Sequence, residues 1–277
     1  MAKSTEVTKN DGGGELAVIS DEFRTRFPAL APDERRARLM AEVFDDGQPQ
    51  LTDLVRVKFP TGGATSWTVV QGGEEKLVKE LRGVIVLRTP QRVFWTDPDP
   101  KGVPPECMST DAKVPLPGGL YSSTGLRAAK NPGGTCTTCP MTAWGSDLKG
   151  RAGQACKERD IVLLMTEGSL LPTMITVPPA SLKKIKEFRI SLLSEDVGYW
   201  GVEVAIGLKE AQSKDGQKYA EVALRVVRYL DEAEAAATEQ YKDMMKDWVA
   251  NTPPLVFVTT DDGEAVDGGV SLEDYTQ

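Results

Sequence analysis

The chain of 277 residues carries 33 Lys and Arg against 41 Asp and Glu, a net charge of −8, with 40% hydrophobic residues and no histidine. That length supports a sizeable core without disulfides. No apolar run approaches a membrane span, and the opening Met1-Ala2-Lys3-Ser4-Thr5-Glu6 lacks the apolar stretch of a signal peptide, so a cytoplasmic location is expected. Without histidine, Ser-His and Cys-His nucleophile arrangements are excluded and the commonest general base is missing. The charge is segregated. Lys79 to Leu192 holds 16 basic and 10 acidic residues, whereas Asp261 to Gln277 holds six acids and neither Lys nor Arg.

In chain order, residues 1–14 end in Gly12-Gly13-Gly14 and read as a flexible arm. Asp21 to Phe27 and Pro32 to Phe44 have the pattern of short packing helices, the second with Pro32 at its start and an apolar stripe of Leu39, Met40 and Val43. Alternation at Val55, Val57 and Phe59 predicts a strand, and Ser66 to Val70 a second. Glu74 to Leu81 reads as a short helix. Gly83 to Arg88 and Arg92 to Trp95 form a strand pair, or one strand broken at Pro90. After a Pro- and Gly-rich element at about 97–158, strands are expected at Ile161 to Met165 and Thr173 to Val177. A helix follows at Ser181 to Leu193, then strands at Tyr199 to Leu208 and Gln217 to Tyr229. A helix from Asp231 to Val249 precedes an acidic C-terminal tail, residues 251–277, with the composition of a disordered segment.

This element order predicts an α+β, mainly β fold. Strands, a helix and then a strand hairpin match an OB-fold-like five-stranded barrel, whose helix lies between the third and fourth strands. The domain spans residues 15–250, with the cysteine element inserted in one of its loops and helices flanking it.

All four cysteines fall in that element: Cys107, the pair Cys136-Thr137-Thr138-Cys139, and Cys156. Two thiolates separated by two residues can turn onto one ion, with Gly133 and Gly134 letting backbone amides face the sulfurs. The outer two cysteines then complete a tetrahedral shell. With no histidine the ligand set is all sulfur, which favours a closed, structural Zn2+ site. Two disulfides or four unrelated core thiols are the alternatives. Disulfides need an oxidising compartment, and unrelated thiols have no reason to gather in one quarter of the chain.

Aromatics interleaved with cations mark a candidate single-stranded nucleic-acid surface, flat side chains serving the bases and cations the phosphates. The candidates are Arg88, Arg92 and Trp95; Tyr121, Arg127 and Lys130; Trp144, Lys149 and Arg151; Lys157 and Arg159; Tyr199 and Trp200; and Lys218 and Tyr219. For each aromatic the competing role is core packing, and for each cation a solvated face. Catalysis has little support. The zinc-deaminase pattern and a Walker loop are both absent, and Asp97 and Asp99 sit in a Pro-rich turn.

Several segments together carry a resemblance: Ser66-Trp67-Thr68-Val69, Pro105-Glu106-Cys107-Met108-Ser109, the stretch from Gly134 to Pro140, Gly153-Gln154-Ala155-Cys156-Lys157, Leu171-Pro172, and Val177 to Leu182 before the hairpin. Over residues 50–230 plus the tail, the chain resembles bacteriophage single-stranded DNA-binding proteins with a structural zinc element in an OB-fold. It is similar in plan to the T4-type helix-destabilising proteins. The resemblance implies a non-enzymatic protein protecting single-stranded DNA in replication or recombination and recruiting partners through its acidic tail. The T4-type zinc site includes a histidine; here the resemblance implies that Cys107 completes an all-cysteine site. The N-terminal arm lacks that type's basic cooperativity motif. The alternative function is a zinc-stabilised adaptor that binds protein rather than DNA.

Overall fold

The structure, a computed structural model, describes residues 19–31, 34–44, 49, 53–60, 62–71, 74–97, 103–150, 152–213 and 216–251. The expected arm and acidic tail lie outside them, as does Pro32. Helices α1 (Asp21–Arg26) and α2 (Glu34–Val43) precede strands β1 (Arg56–Lys58), β2 (Trp67–Gln71), β3 (Glu74–Val78) and β4 (Glu80–Phe94). The cysteine element holds the short β5 (Cys107–Ser109). It is followed by β6 (Lys157–Thr166), β7 (Thr173–Val177), α3 (Leu182–Leu193), β8 (Val202–Gln212), β9 (Lys218–Tyr229) and α4 (Glu232–Asn251). The fold is mixed α+β and mainly sheet.

All strands join one strongly curled, half-barrel sheet, in the order β3-β2-β1-β7-β6-β4-β8-β9, with β5 added to β4. Every pairing is antiparallel except β1 with β7. The cysteine element is the connection between β4 and β6, and α3 is the connection between β7 and β8.

The continuous apolar run of β6 has a direct cause, since the strand is covered on both faces. Val162 and Leu164 enter a core with Trp67, Ile85, Ile175, Val204 and Ile206, closed by Ile185 and Leu192 of α3. Ile161, Leu163 and Met165 point the other way, against Phe23 and Phe27 and Met245 of α4. The same division runs through β4, where a register shift between Ile85 and Leu87 puts Val86 and Leu87 in one core. Trp67 is fully buried and its indole N–H donates to the Ile206 carbonyl at 2.9 Å.

Four local expectations are corrected. Residues 74–81 are not helical: Glu74–Val78 pairs with β2 and Glu80 begins β4, because the exposed, charged hairpin β2–β3 takes its hydrogen bonds across the turn. Pro90 does not break β4. It lies where β8 has left one edge of the strand and β5 has not yet joined it, so the missing N–H interrupts no ladder there. Tyr199 and Trp200 occupy a 3₁₀ turn rather than the start of a strand. Helix α2 buries none of its residues, and Leu39 and Val43 are exposed.

Helix α4 begins with a reciprocal cap: the Glu234 amide donates to Asp231 Oδ1 at 2.8 Å and the Asp231 amide to Glu234 Oε2 at 3.3 Å. Glu234 also joins an ion-pair network beneath the helices. Arg228 bridges Glu203 at 3.1 Å and Glu234 at 2.6 Å, and Arg26 reaches Glu203 at 2.7 Å. Both carboxylates are buried. Removing Arg228 takes the guanidinium from buried Glu234 while Glu203 keeps Arg26, so Arg228→Met is expected to lower stability by about 1–3 kcal/mol. Urea denaturation measures this; a loss below about 0.5 kcal/mol, the size of an ordinary surface substitution, contradicts it.

Candidate metal centre and adjoining groove

The cysteine element has almost no regular structure and is held by turn and loop bonds within its own backbone, such as the Leu120 amide to the Glu106 carbonyl and the Cys156 amide to the Met141 carbonyl, together with side-chain bonds to that backbone. Buried Asn131 is the hub. Its Nδ2 donates to the Tyr121 and Thr135 carbonyls at 2.9 and 3.0 Å, and its Oδ1 accepts from the Thr138 hydroxyl at 2.8 Å. Thr142 Oγ1 lies within hydrogen-bond range of the Cys136 and Cys139 carbonyls, at 2.7 and 2.8 Å. The glycines serve this network rather than the sulfurs. A Cβ at Gly133 would stand 2.6 Å from Thr138 Oγ1, while Gly134 has φ +58° and donates its amide to the Asn131 carbonyl.

This scaffold brings the four cysteines to one place. All four are buried and unpaired by disulfides, and together they line a single cavity of about 10 Å³ with Phe94, Tyr121 and Arg92. Burial pushes the Cys107 thiol up to about 11 and Cys156 to about 12, and raises Cys136 as well. The charges of neighbouring cysteines add to each rise. Against them, the Tyr121 amide donates to Cys107, the Ser109 hydroxyl lies in hydrogen-bond reach of Cys136, and the Arg92 charge acts on Cys136 and Cys156. Among the described residues, no set of three or more His, Cys, Asp or Glu side chains is already arranged to hold an ion. The donor set available to one is these four thiols.

Next to this cavity along β4 and β5 opens a groove of about 650 Å³. Its walls come from β4 (Arg88, Gln91), the loop after β5 (Asp111, Lys113), the 3₁₀ turn (Tyr199, Trp200) and α4 (Lys242, Lys246). Tyr199 and Trp200 meet edge to face at 5.0 Å between ring centroids, and Lys242 Nζ lies 3.7 Å from the Trp200 ring centre. Asp111 is occupied internally, accepting from the Ser109 hydroxyl and the Lys113 and Val114 amides at 2.7–2.9 Å.

The groove therefore gathers three of the residues expected from sequence, Arg88, Tyr199 and Trp200. It adds Lys113, Lys242 and Lys246, which sequence reasoning missed. The spacing of Lys242 and Lys246 on one helical face was the available signal. The remaining candidates divide. Tyr121 and Trp95 are corrected to core roles: Tyr121 is 2% exposed and packs edge-on against Phe94, while Trp95 is 8% exposed and donates its indole N–H to the Val103 carbonyl. Arg159 is buried with its guanidinium 5.5 Å from the Trp95 ring centre. Arg88 is held bidentately by buried Asp160 at 2.6 and 2.7 Å, Lys157 by Asp147, Lys218 by Glu210, and Arg92 by Glu158. Arg127 donates to the Tyr121 hydroxyl at 3.0 Å. Lys130 and Lys149 are exposed, Trp144 is 77% exposed outside the groove lining, and Tyr219 is half-buried on β9. Arg151 lies outside the described residues.

Comparisons with protein-family models, curated proteins and solved structures find no match to this chain. No helix among the described residues is long and apolar enough to cross a membrane.

The position of Trp200 depends on Gly198, where an added Cβ would lie 2.5 Å from the indole ring. Gly198→Ala is therefore expected to cost about 1–3 kcal/mol and to alter the near-ultraviolet circular dichroism. The smaller ring of Trp200→Phe should relieve part of that cost. An additive pair of substitutions would show that Gly198 and Trp200 are not coupled.

Proposed function

We propose that this chain is a sequence-tolerant, non-enzymatic single-stranded DNA-binding protein built on an OB barrel, with a structural zinc ion held by Cys107, Cys136, Cys139 and Cys156. The observation that carries the reading is the groove, in which an aromatic pair is flanked by cations from three separate elements. Bases stacked on Tyr199 and Trp200 would bring their phosphates within reach of Lys113, Lys242 and Lys246.

The connectivity supports the barrel. Counting β4, β6, β7, β8 and β9 as its five strands, the order β7-β6-β4-β8-β9 and a helix between the third and fourth strands match the OB plan. Ser181 Oγ, accepting from the Val222 amide at 3.0 Å, ties the end of the β7 segment to β9 across the remaining gap. The cysteine element is then the insertion between the first two strands.

The donor set fits zinc. Four soft sulfur donors line one cavity, the all-sulfur set of a closed structural site. The buried, unpartnered Arg92 Nη1 beside them suits a negatively charged thiolate cluster better than four neutral thiols. A bound ion would cross-link strands and loops that share few apolar contacts. Replacing Cys136 and Cys139 together with Ser is expected to abolish stoichiometric zinc binding and lower the melting temperature. An unchanged melt and metal content would remove the zinc reading.

Oligo(dT) is expected to quench tryptophan fluorescence, with an affinity that falls as salt rises. Trp200→Ala should weaken binding by about 1–3 kcal/mol, and Lys246→Ala should reduce the salt slope by about 0.7. The resemblance to phage proteins implies a place in replication or recombination, with the acidic tail as the recruiting segment.

A second reading, an adaptor that binds protein, draws on another groove of about 480 Å³, lined by Met40, Leu54, Leu171, Tyr241, Met244 and Trp248. Absence of oligo(dT) binding at low salt, with residues 260–277 removed as well, would favour the adaptor.

A further inference from the structure

Among the described residues, Arg92 is the one cationic side chain lining the thiol cavity. It sits on β4 directly opposite Glu158 of β6, and the two side chains form an ion pair through Arg92 Nη2. The other terminal nitrogen, Nη1, is buried and has no hydrogen-bond partner. A buried donor left unpaired ordinarily costs about 1–3 kcal/mol, so a charged side chain kept in that state calls for an acceptor. The sulfurs of Cys136 and Cys156, which line the same cavity, can supply one once ionised. Lys157, beside Cys156 in sequence, cannot take the same role while its ammonium is 3.2 Å from Asp147.

Four thiolates around one divalent cation leave a net charge of −2, and a buried charge of that size needs compensation. We propose that Arg92 is the positioning residue of this metal centre. Its Nη1–H donates to a thiolate sulfur of Cys136 or Cys156, and its charge offsets half of the cluster's net negative charge, slowing loss of the ion. Glu158 pairs with the other terminal nitrogen, Nη2, and takes no part in retaining the metal. This inference rests on the zinc reading given above.

The full-length protein purified with zinc provides the test. Metal content, the rate of zinc transfer to a chromophoric chelator, and the thiolate-to-metal charge-transfer band after cobalt substitution are measured for wild type, Arg92→Met, Arg92→Lys and Glu158→Gln. Loss of a partner outside the ligand shell commonly changes metal affinity by 10–100-fold. Arg92→Met is accordingly expected to release zinc about tenfold faster or more and to shift the cobalt band, and Arg92→Lys to recover part of both. Glu158→Gln breaks the same ion pair but leaves the cation in place, so it should release zinc no faster than wild type. The inference is overturned if Arg92→Met matches wild type, or if Glu158→Gln accelerates release as much as Arg92→Met does. The second outcome would mean that the ion pair matters only to strand packing. Wild-type protein that takes up neither zinc nor cobalt would instead remove the metal centre itself, a result distinct from either.

Discussion

Backbone pairing along β4 is the constraint on which the rest of the molecule depends. Its fifteen residues bond to β6 along most of their length, to β8 over the first part and to β5 over the last. One strand thus serves three settings in succession. Its start lies within the two cores, its middle forms a wall of the groove, and its end reaches the thiol cavity. The bulge near Val86 makes this possible. By shifting register, it keeps Leu87 in the core with Val84 and Val86 and resets which side chains face outward beyond it.

Beyond Phe94 the balance of forces changes. Strands β4, β6 and β7 are stabilised by apolar burial on two faces, whereas the described residues of the cysteine element form two small clusters, around Phe94 and Tyr121 and around Trp95 and Met108. Its backbone polar groups are satisfied by turn and loop bonds among themselves and by the side chains of Asn131, Thr138, Thr142, Ser146 and Gln154. Directional bonds of this kind specify a conformation but contribute modest net stability, about 1 kcal/mol each. A loop built this way gains from a cross-link at its centre, and the four thiols sit at that centre. Burial that disfavours their ionised forms also makes a cation in their midst effective, because charges interact strongly where water is excluded.

Strands with strong alternation or a complete apolar run, such as β6 and β7, were legible in the sequence, and so were α3 and α4, because burial and periodicity agree there. Residues 74–81 misled because their charges suit a helix surface equally well. What makes them a hairpin is the exposed edge of β2, which is not visible locally. The convergence of the four cysteines was legible from their clustering. The roles of the aromatics were not. Tyr121 and Trp144 both lie in polar, glycine-rich loops, yet one is buried against Phe94 and the other stands in solvent. Cations were hardest to assign: Arg88 and Arg92 look like a basic strand face, and only cross-strand register shows that Asp160 and Glu158 meet them.

That register has a consequence for the groove. With Arg88 neutralised by Asp160, and Lys242 paired with Glu239 and Asp243, the positive potential among the described lining residues comes mainly from Lys113 on the cysteine element and from Lys246 on α4. These two sources lie on separate elements of the groove lining. Lys113 is positioned by the Asp111 turn, and its own carbonyl accepts the Cys136 amide at 2.8 Å. The cation on one wall is thus bonded directly to a cysteine of the thiol cavity. Order in the cavity and electrostatics in the groove are therefore not independent properties: a displacement of Cys136 carries with it the backbone that presents Lys113.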